Sequence, residues 1–265
     1  MIRRCRSVPL HTRQPPGHHF QHPARLFSQT RYHGDDRAAS AASSSPKAVP
    51  RAKLIYPDVP SSTHHADLAS FVSYAKRTGL DERSTVYVGT HYEYSVAAAL
   101  RRYGFHLVRV GGASDRGTDL VGTWVLPSLL AQQQHRQHQQ EEPARVLVQC
   151  KAGAGAQRVG PQHVRELEGA FVGAPAGWRG DGVLGLLVGE RPATKGVRDA
   201  LGRSRWPVVY VCCSRAGAVS QMLWNRAAEE AGLEGYAVVP RRVAGSDESE
   251  LVLMHNGRVV KDLAV

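Results

Sequence analysis

The chain has 265 residues, 34 Lys+Arg against 23 Asp+Glu for a formal net charge of +11, and a hydrophobic fraction of 42%. That apolar content is enough for a globular core and excludes wholesale disorder, while runs such as Val183 to Val188 fall far short of the ~20 residues needed to cross a bilayer, so no transmembrane segment is expected. Four cysteines (Cys5, Cys150, Cys212 and Cys213) are too few and too badly spaced for a disulfide framework or a zinc knuckle.

Residues 1–34 carry Arg3, Arg4, Arg6, Arg13, Arg25 and Arg31 and no acid. They lack the apolar stretch of a secretory signal, and an arginine-rich, acid-free start is the signature of a mitochondrial transit peptide. Arg25-Leu26-Phe27-Ser28 resembles the arginine-led site of matrix processing, which predicts cleavage near Phe27. The competing reading is a basic arm that stays attached and touches nucleic acid. Residues 35–53 are Ala/Ser/Pro-rich and read as a disordered linker, leaving 54–265 as the folded domain. Six of the net charges fall in residues 1–34, two in 35–53 and three in 54–265. The basicity of the chain therefore reports import, and a case for nucleic acid has to rest on motifs.

Within the folded part, Leu68, Phe71, Val72 and Ala75 recur at helical spacing and predict a helix over Ser62 to Arg77. A second helix is predicted over Thr85 to Tyr103, ended by Gly104. Three strands follow, Phe105 to Val110, Asp119 to Val125 and Arg145 to Lys151, with glycines at 111, 112 and 117 turning a tight hairpin between the first two. Residues 131–143 are Gln/His-rich and read as a loop insertion, in which His135 and His138 are loop filler rather than metal ligands. Pro161 to Val172 is a predicted helix with proline at its first position. Val183 to Val188 is a strand buried on both faces. Ala193 to Arg203 is a helix and Pro207 to Cys213 another buried strand, so this strand–helix–strand run predicts a parallel pair with a crossover. Val219 to Ala231 reads as a helix, and Asn256-Gly257 marks a hairpin within Glu250 to Val260. The element order is α-βββ-α-β with further α/β units appended.

Three polar features sit where stability alone does not ask for them. Glu93 shares a helix face with Val96, Ala97 and Leu100, where a carboxylate is costly unless paired or bound to metal. Asp119 opens a strand. Gln149 and Lys151 end another strand on one face, with Cys150 on the other. A lysine at a core strand end needs an anionic partner, and Asp119 with a bound phosphate would supply it. Taken singly, Asp119 reads as a turn cap, Lys151 as its structural ion-pair partner, and Cys150 as a buried small hydrophobe. Arg116, beside Asp115 at the hairpin tip, is a turn residue or a phosphate contact. Arg158 lies in a Gly-rich loop that could meet a nucleic-acid backbone. Arg165, Glu166 and Glu168 form an exposed salt-laced helix face or support a substrate. Gly111-Gly112 is not followed by a helix, and neither a phosphate loop nor a Gly-x-Ser-x-Gly elbow is present.

Asp119, a following strand and Gln149-x-Lys151, with Glu93 in the preceding helix, resemble the PD-(D/E)xK phosphodiesterase superfamily, whose core has the same α-βββ-α-β order. The Gln-x-Lys variant followed by Val159-Gly160-Pro161 resembles the branch containing Mrr-type restriction endonucleases. Closer still, Gly89-Thr90-x-Tyr92-Glu93, Gly111-Gly112-x-x-Asp115-x-Gly117-x-Asp119-Leu120, Val148-Gln149-Cys150-Lys151 and Arg165-Glu166-Leu167-Glu168-Gly169 resemble the fungal mitochondrial family called required for respiratory growth protein seven. These blocks span about residues 85 to 172. The resemblance implies a restriction endonuclease-like α/β fold with a central mixed sheet, and metal-dependent cleavage of nucleic acid, DNA favoured over RNA, in the mitochondrial matrix. It implies that Asp119 and the backbone carbonyl of Cys150 hold Mg²⁺ or Mn²⁺, with Glu93 binding through water or accepting a proton. Lys151 would orient the attacking water or stabilise the charge building on the phosphate, with Arg116 and Arg158 as substrate contacts. Gln149 stands where the commoner residue is an acid, which removes one negative charge and keeps open a non-catalytic nucleic-acid-binding or scaffold protein. A homodimer, as relatives use to cut two strands, is also implied.

Overall fold

A computed structural model describes residues 64–110, 117–126, 143–153, 158–243, 245 and 249–260, all within the compact unit that begins at Ala52. The expected transit segment, the linker, Asp115 and Arg116, and the Gln/His-rich insertion up to residue 142 lie outside the described residues.

Helix α1 (Leu68–Thr78) begins where its N-terminus can be closed. The Asp67 carboxylate accepts from the Ser70 amide at 2.8 Å and Ser70 Oγ accepts from the Asp67 amide at 3.0 Å, a reciprocal box that satisfies otherwise orphaned donors. The helix predicted to run from Ser62 therefore starts at Leu68, with His64 to Asp67 non-helical. Helix α2 (Thr85–Arg101) is capped by Ser84, whose Oγ accepts from the Tyr87 amide at 3.1 Å. Gly104, at φ 86°, turns the chain out of it. There β1 (Phe105–Arg109) and β2 (Leu120–Trp124) pair antiparallel as expected, and β3 (Ala144–Lys151) pairs antiparallel with β2 to complete a meander. Gly122 permits it: a Cβ there would lie 1.9 Å from the His106 carbonyl oxygen, so only glycine lets β1 lie against β2 at this point.

Helix α3 (Pro161–Gly173), β4 (Val183–Gly189), α4 (Lys195–Arg203) and β5 (Val208–Cys213) follow. Strands β3, β4 and β5 are mutually parallel, as the crossover pattern predicts. Every residue of β4 and β5 is buried, the reason their sequences show no alternation.

The helix predicted over Val219 to Ala231 is corrected. Val219–Trp224 is a strand, β6, antiparallel to β5. It is followed by a helical turn α5 (Arg226–Ala228) and a π-helical turn over Glu229–Leu233. Tertiary pairing overrides the local pattern: Gly217, at φ 80°, reverses the chain after β5, and the Ser214 amide donates to the Ala218 carbonyl at 2.9 Å. A second sheet of β7 (Tyr236–Arg242), β8 (Ser249–His255) and β9 (Arg258–Val259) closes the described chain. Asn256 (φ 47°) and Gly257 (φ 76°) make the expected turn. Strand β7 was not anticipated.

The main sheet has the order β1-β2-β3-β4-β5-β6 and a core on each face. Tyr92, Val96 and Leu100 of α2 cover one face with Tyr236 and Leu253 of the small sheet, against Val146 and Val148. Val164, Leu167 and Phe171 of α3 and Val197 and Leu201 of α4 cover the other, against Val121 and Leu147. No helix among the described residues is long and apolar enough to cross a membrane.

Candidate functional site

Asp119 sits one step before β2, its amide donating to the Val148 carbonyl and its carbonyl accepting from the Val110 amide, each at 2.9 Å. Its carboxylate Oδ2 accepts the Cys150 amide at 2.6 Å. The β2–β3 register ends at the pair Leu120–Val148; with its amide on Val148 and its carboxylate on Cys150, Asp119 lies against the last residues of β3. Alternation along β3 puts Gln149 and Lys151 on the α3 face with Leu147, and Cys150 on the α2 face with Val146 and Val148.

Gln149 is 5% exposed, and its Oε1 is buried without a hydrogen-bond partner. An orphaned buried acceptor costs about 1–3 kcal/mol, so this oxygen is left for a donor or a cation. Gly117, at φ 80°, makes room beside it, since a Cβ there would come 3.3 Å from Gln149 Nε2. Lys151 pairs with Glu166 of α3, whose Oε2 accepts from Nζ at 2.9 Å, and not with Asp119, the partner expected from sequence. With the two side chains 31% and 48% exposed, such a pair contributes little and does not lock the lysine.

Glu93 is not a lone carboxylate. Arg109, at the end of β1, donates to its Oε2, reaches Thr90 Oγ1 at 3.5 Å, and lies 5.9 Å from the centroid of the Tyr94 ring. Arg109 shares the α2 face with Leu120, its register partner, so Glu93 stands on the opposite side of the sheet from Gln149 and Lys151. The structure thus brings Asp119 and the Cys150 peptide together, sets Gln149 and Lys151 on the same face, and holds Glu93 across the sheet at the same end. Arg109 was missed from sequence; the signal was a cation two positions after the core residue Leu107 on an inward face. Arg158 is exposed just ahead of α3, and Arg116 lies outside the described residues. Burial, then the nearby Asp119 and Glu93 carboxylates, pushes the Cys150 thiol well up, so it is a protonated packing group, as expected.

No cluster of three or more metal-competent His, Cys, Asp and Glu side chains occurs among the described residues. The oxygens at this strand end are of mixed kind, the Asp119 carboxylate on the Cys150 amide and the orphaned Gln149 amide oxygen one residue earlier. That hard set fits Mg²⁺ or Mn²⁺ and not zinc.

Fold and strand-end donors together define a mixed α/β protein whose polar residues collect at one end of a six-stranded mixed sheet. The sequence family Required for respiratory growth protein 7 matches residues 84–239, and the chain belongs to that family. An uncharacterized mitochondrial protein of Schizosaccharomyces pombe is 31% identical over 170 residues, covering 63% of this chain and 62% of that protein. A Saccharomyces cerevisiae protein named Required for respiratory growth protein 7, mitochondrial, is 26% identical over 169 residues, 52% of this chain and 69% of that one. Its namesake in Zygosaccharomyces rouxii is 27% identical over 158 residues, 49% and 64% respectively. The chain thus spans under two thirds of the fission-yeast relative. No solved structure matches. The relatives are mitochondrial proteins, and the mitochondrial assignment of this chain agrees with its acid-free, arginine-rich N-terminus.

Proposed function

We propose that the protein is a divalent-metal-dependent phosphodiester hydrolase acting on nucleic acid, DNA before RNA, in the mitochondrial matrix, on a restriction endonuclease-like fold. The observation that carries this reading is the buried, unpartnered Gln149 Oε1, one residue before the Cys150 amide that holds the Asp119 carboxylate, with Lys151 one side chain further along the face of Gln149. Asp119, Gln149 and the Cys150 carbonyl would hold Mg²⁺ or Mn²⁺; when bound, the ion activates a water and neutralises phosphate charge. Asp119 contributes the fixed negative charge, and the Cys150 amide keeps its carboxylate from rotating away. Lys151 leaves Glu166 for the phosphate at little cost and stabilises the negative charge that builds there. Glu93, held by Arg109 on the other face of the sheet, would reach a bound ion only around the strand ends, through water. Arg116 and Arg158 steer the backbone.

Full-length protein with Mg²⁺ or Mn²⁺ should cleave DNA, and Asp119→Ala should lower kcat by at least about 100-fold at unchanged fold. Cleavage that survives this substitution would sink the assigned roles.

A second reading, a non-catalytic nucleic-acid-binding protein supporting mitochondrial genome upkeep or expression, is favoured by the engagement of Glu93 and Lys151 in ion pairs. Its mark is affinity that falls steeply with salt while no divalent ion gives turnover.

A further inference from the structure

Beyond Lys151 the chain is gripped a second time. The Gly153 amide donates to Glu190 Oε1 at 2.8 Å, and the Gly153 carbonyl accepts from Arg215 Nη2 at 2.7 Å. Arg215 Nε donates to the same Glu190 oxygen at 2.9 Å, closing a ring of three bonds around one residue's backbone. The three come from separate parts of the fold. Gly153 follows β3, Glu190 follows the last residue of β4, which is the register partner of Lys151, and Arg215 stands in the turn between β5 and β6.

We propose that Glu190 and Arg215 are positioning residues for the candidate site, holding the direction of the Cys150 carbonyl and the Lys151 side chain without touching substrate. This rests on the hydrolase reading of the preceding subsection. The short stretch from Cys150 to Gly153 is fixed at one end by Asp119 Oδ2 on the Cys150 amide and at the other by Glu190 and Arg215 on Gly153. Between these two grips the peptides cannot turn over independently, so the donor carbonyl and the lysine keep one mutual orientation. As an ion pair the two side chains, 22% and 47% exposed, contribute little to stability. Their specific feature is that they satisfy both the N–H and the C=O of one loop residue far away in sequence. Metal sites are commonly tuned this way by groups behind the donors, and removing such a group typically costs 10–100-fold in affinity or activity.

The test uses the full-length protein and Mn²⁺ alone as probe, followed by calorimetry or electron paramagnetic resonance, with cleavage measured in parallel. Glu190→Ala and Arg215→Ala are expected to weaken Mn²⁺ binding about tenfold and to lower kcat by a similar factor, with KM for nucleic acid little changed. Glu190→Gln keeps an acceptor for the Gly153 amide and should restore most of both, and Arg215→Lys should restore less because it cannot form the paired contacts. If the alanine variants fail to fold, these two conservative variants decide the matter by the same readouts. Unchanged Mn²⁺ affinity and kcat in folded variants overturns the positioning role while leaving the hydrolase reading intact. Mn²⁺ binding that depends on Glu190 and Arg215 in a protein that cleaves nothing upholds the positioning role and removes the hydrolase reading. A wild-type protein that binds no Mn²⁺ removes both.

Discussion

Gln149 can be read as half of a metal ligand set, and a carboxylate at its position separates that reading from a purely structural one. Its Oε1 is buried and unpartnered, one residue from the peptide that holds the Asp119 carboxylate, so Gln149→Glu puts a second negative charge out of water at this strand end. Without divalent ions the variant should lose about 3 kcal/mol, and millimolar Mg²⁺ should return most of it; thermal unfolding with and without the ion reads both. An equal loss in the two conditions would remove Gln149 from the ligand set. Cys213 answers a different question. Burial, then the neighbouring Cys212, pushes its thiol from 9.0 up to about 12. The native state keeps this proton where the unfolded chain has released it, so the contribution is complete below pH 9 and is lost as pH climbs towards 12. Cys213→Ala should therefore show a shallower decline of stability between pH 9 and 12 in urea titrations. At this scale the sequence made Asp119, Gln149 and Lys151 visible because polar groups at the ends of apolar strands are conspicuous. It hid Arg109 and Glu190, whose partners are distant in sequence and meet them only after the strands align.

Strand β6 and the residue that ends it show where local pattern stops being informative. Val219, Met222 and Leu223 fit a helical stripe as well as a strand, and the choice is made by the open edge of β5. Asn225 then fixes the junction. It is 5% exposed, its Oδ1 accepts from the Val208 and Ala228 amides at 3.1 and 3.0 Å, and its Nδ2 donates to the carbonyls of Leu201, Ser204 and Trp206. Asn225→Ala would remove a partner from five backbone groups, of which the Ala228 amide keeps the Asn225 carbonyl and the Leu201 carbonyl keeps the Ser204 amide, and should cost about 3 kcal/mol, measurable by equilibrium unfolding. Asn225→Asp keeps only the accepting half and should fall between wild type and alanine. By contrast, the β1–β2 hairpin, both crossover helices and the Asn256-Gly257 hairpin were legible, since each carries a local signature: a cap, an uninterrupted apolar run or a turn dipeptide.

At the scale of the whole chain, eight of the eleven net positive charges lie ahead of residue 54 and three on the remainder. Affinity for nucleic acid measured on the full-length protein should therefore fall more steeply with salt than affinity measured on a chain processed near Phe27, which has shed most of the first group. Equal slopes for the two would mean that the phosphate contacts all belong to the domain. The mitochondrial family and the arginine-rich start agree with each other without either depending on the domain's chemistry.

The arrangement of the strands also sets a schedule. The segments Val146-Leu147-Val148, Val183 to Val188 and Val208 to Cys213 carry no charge, and each is paired on its second edge only when the next strand has been made. Such uncharged, β-prone stretches with an open edge recruit other copies of themselves. Strand β6 ends the exposure. Joined to β5 by a short hairpin and carrying the exposed Ser220 and the partly exposed Gln221, it covers the open edge of β5. The segment whose local pattern read as a helix is thus the one that keeps a growing sheet from becoming a shared one.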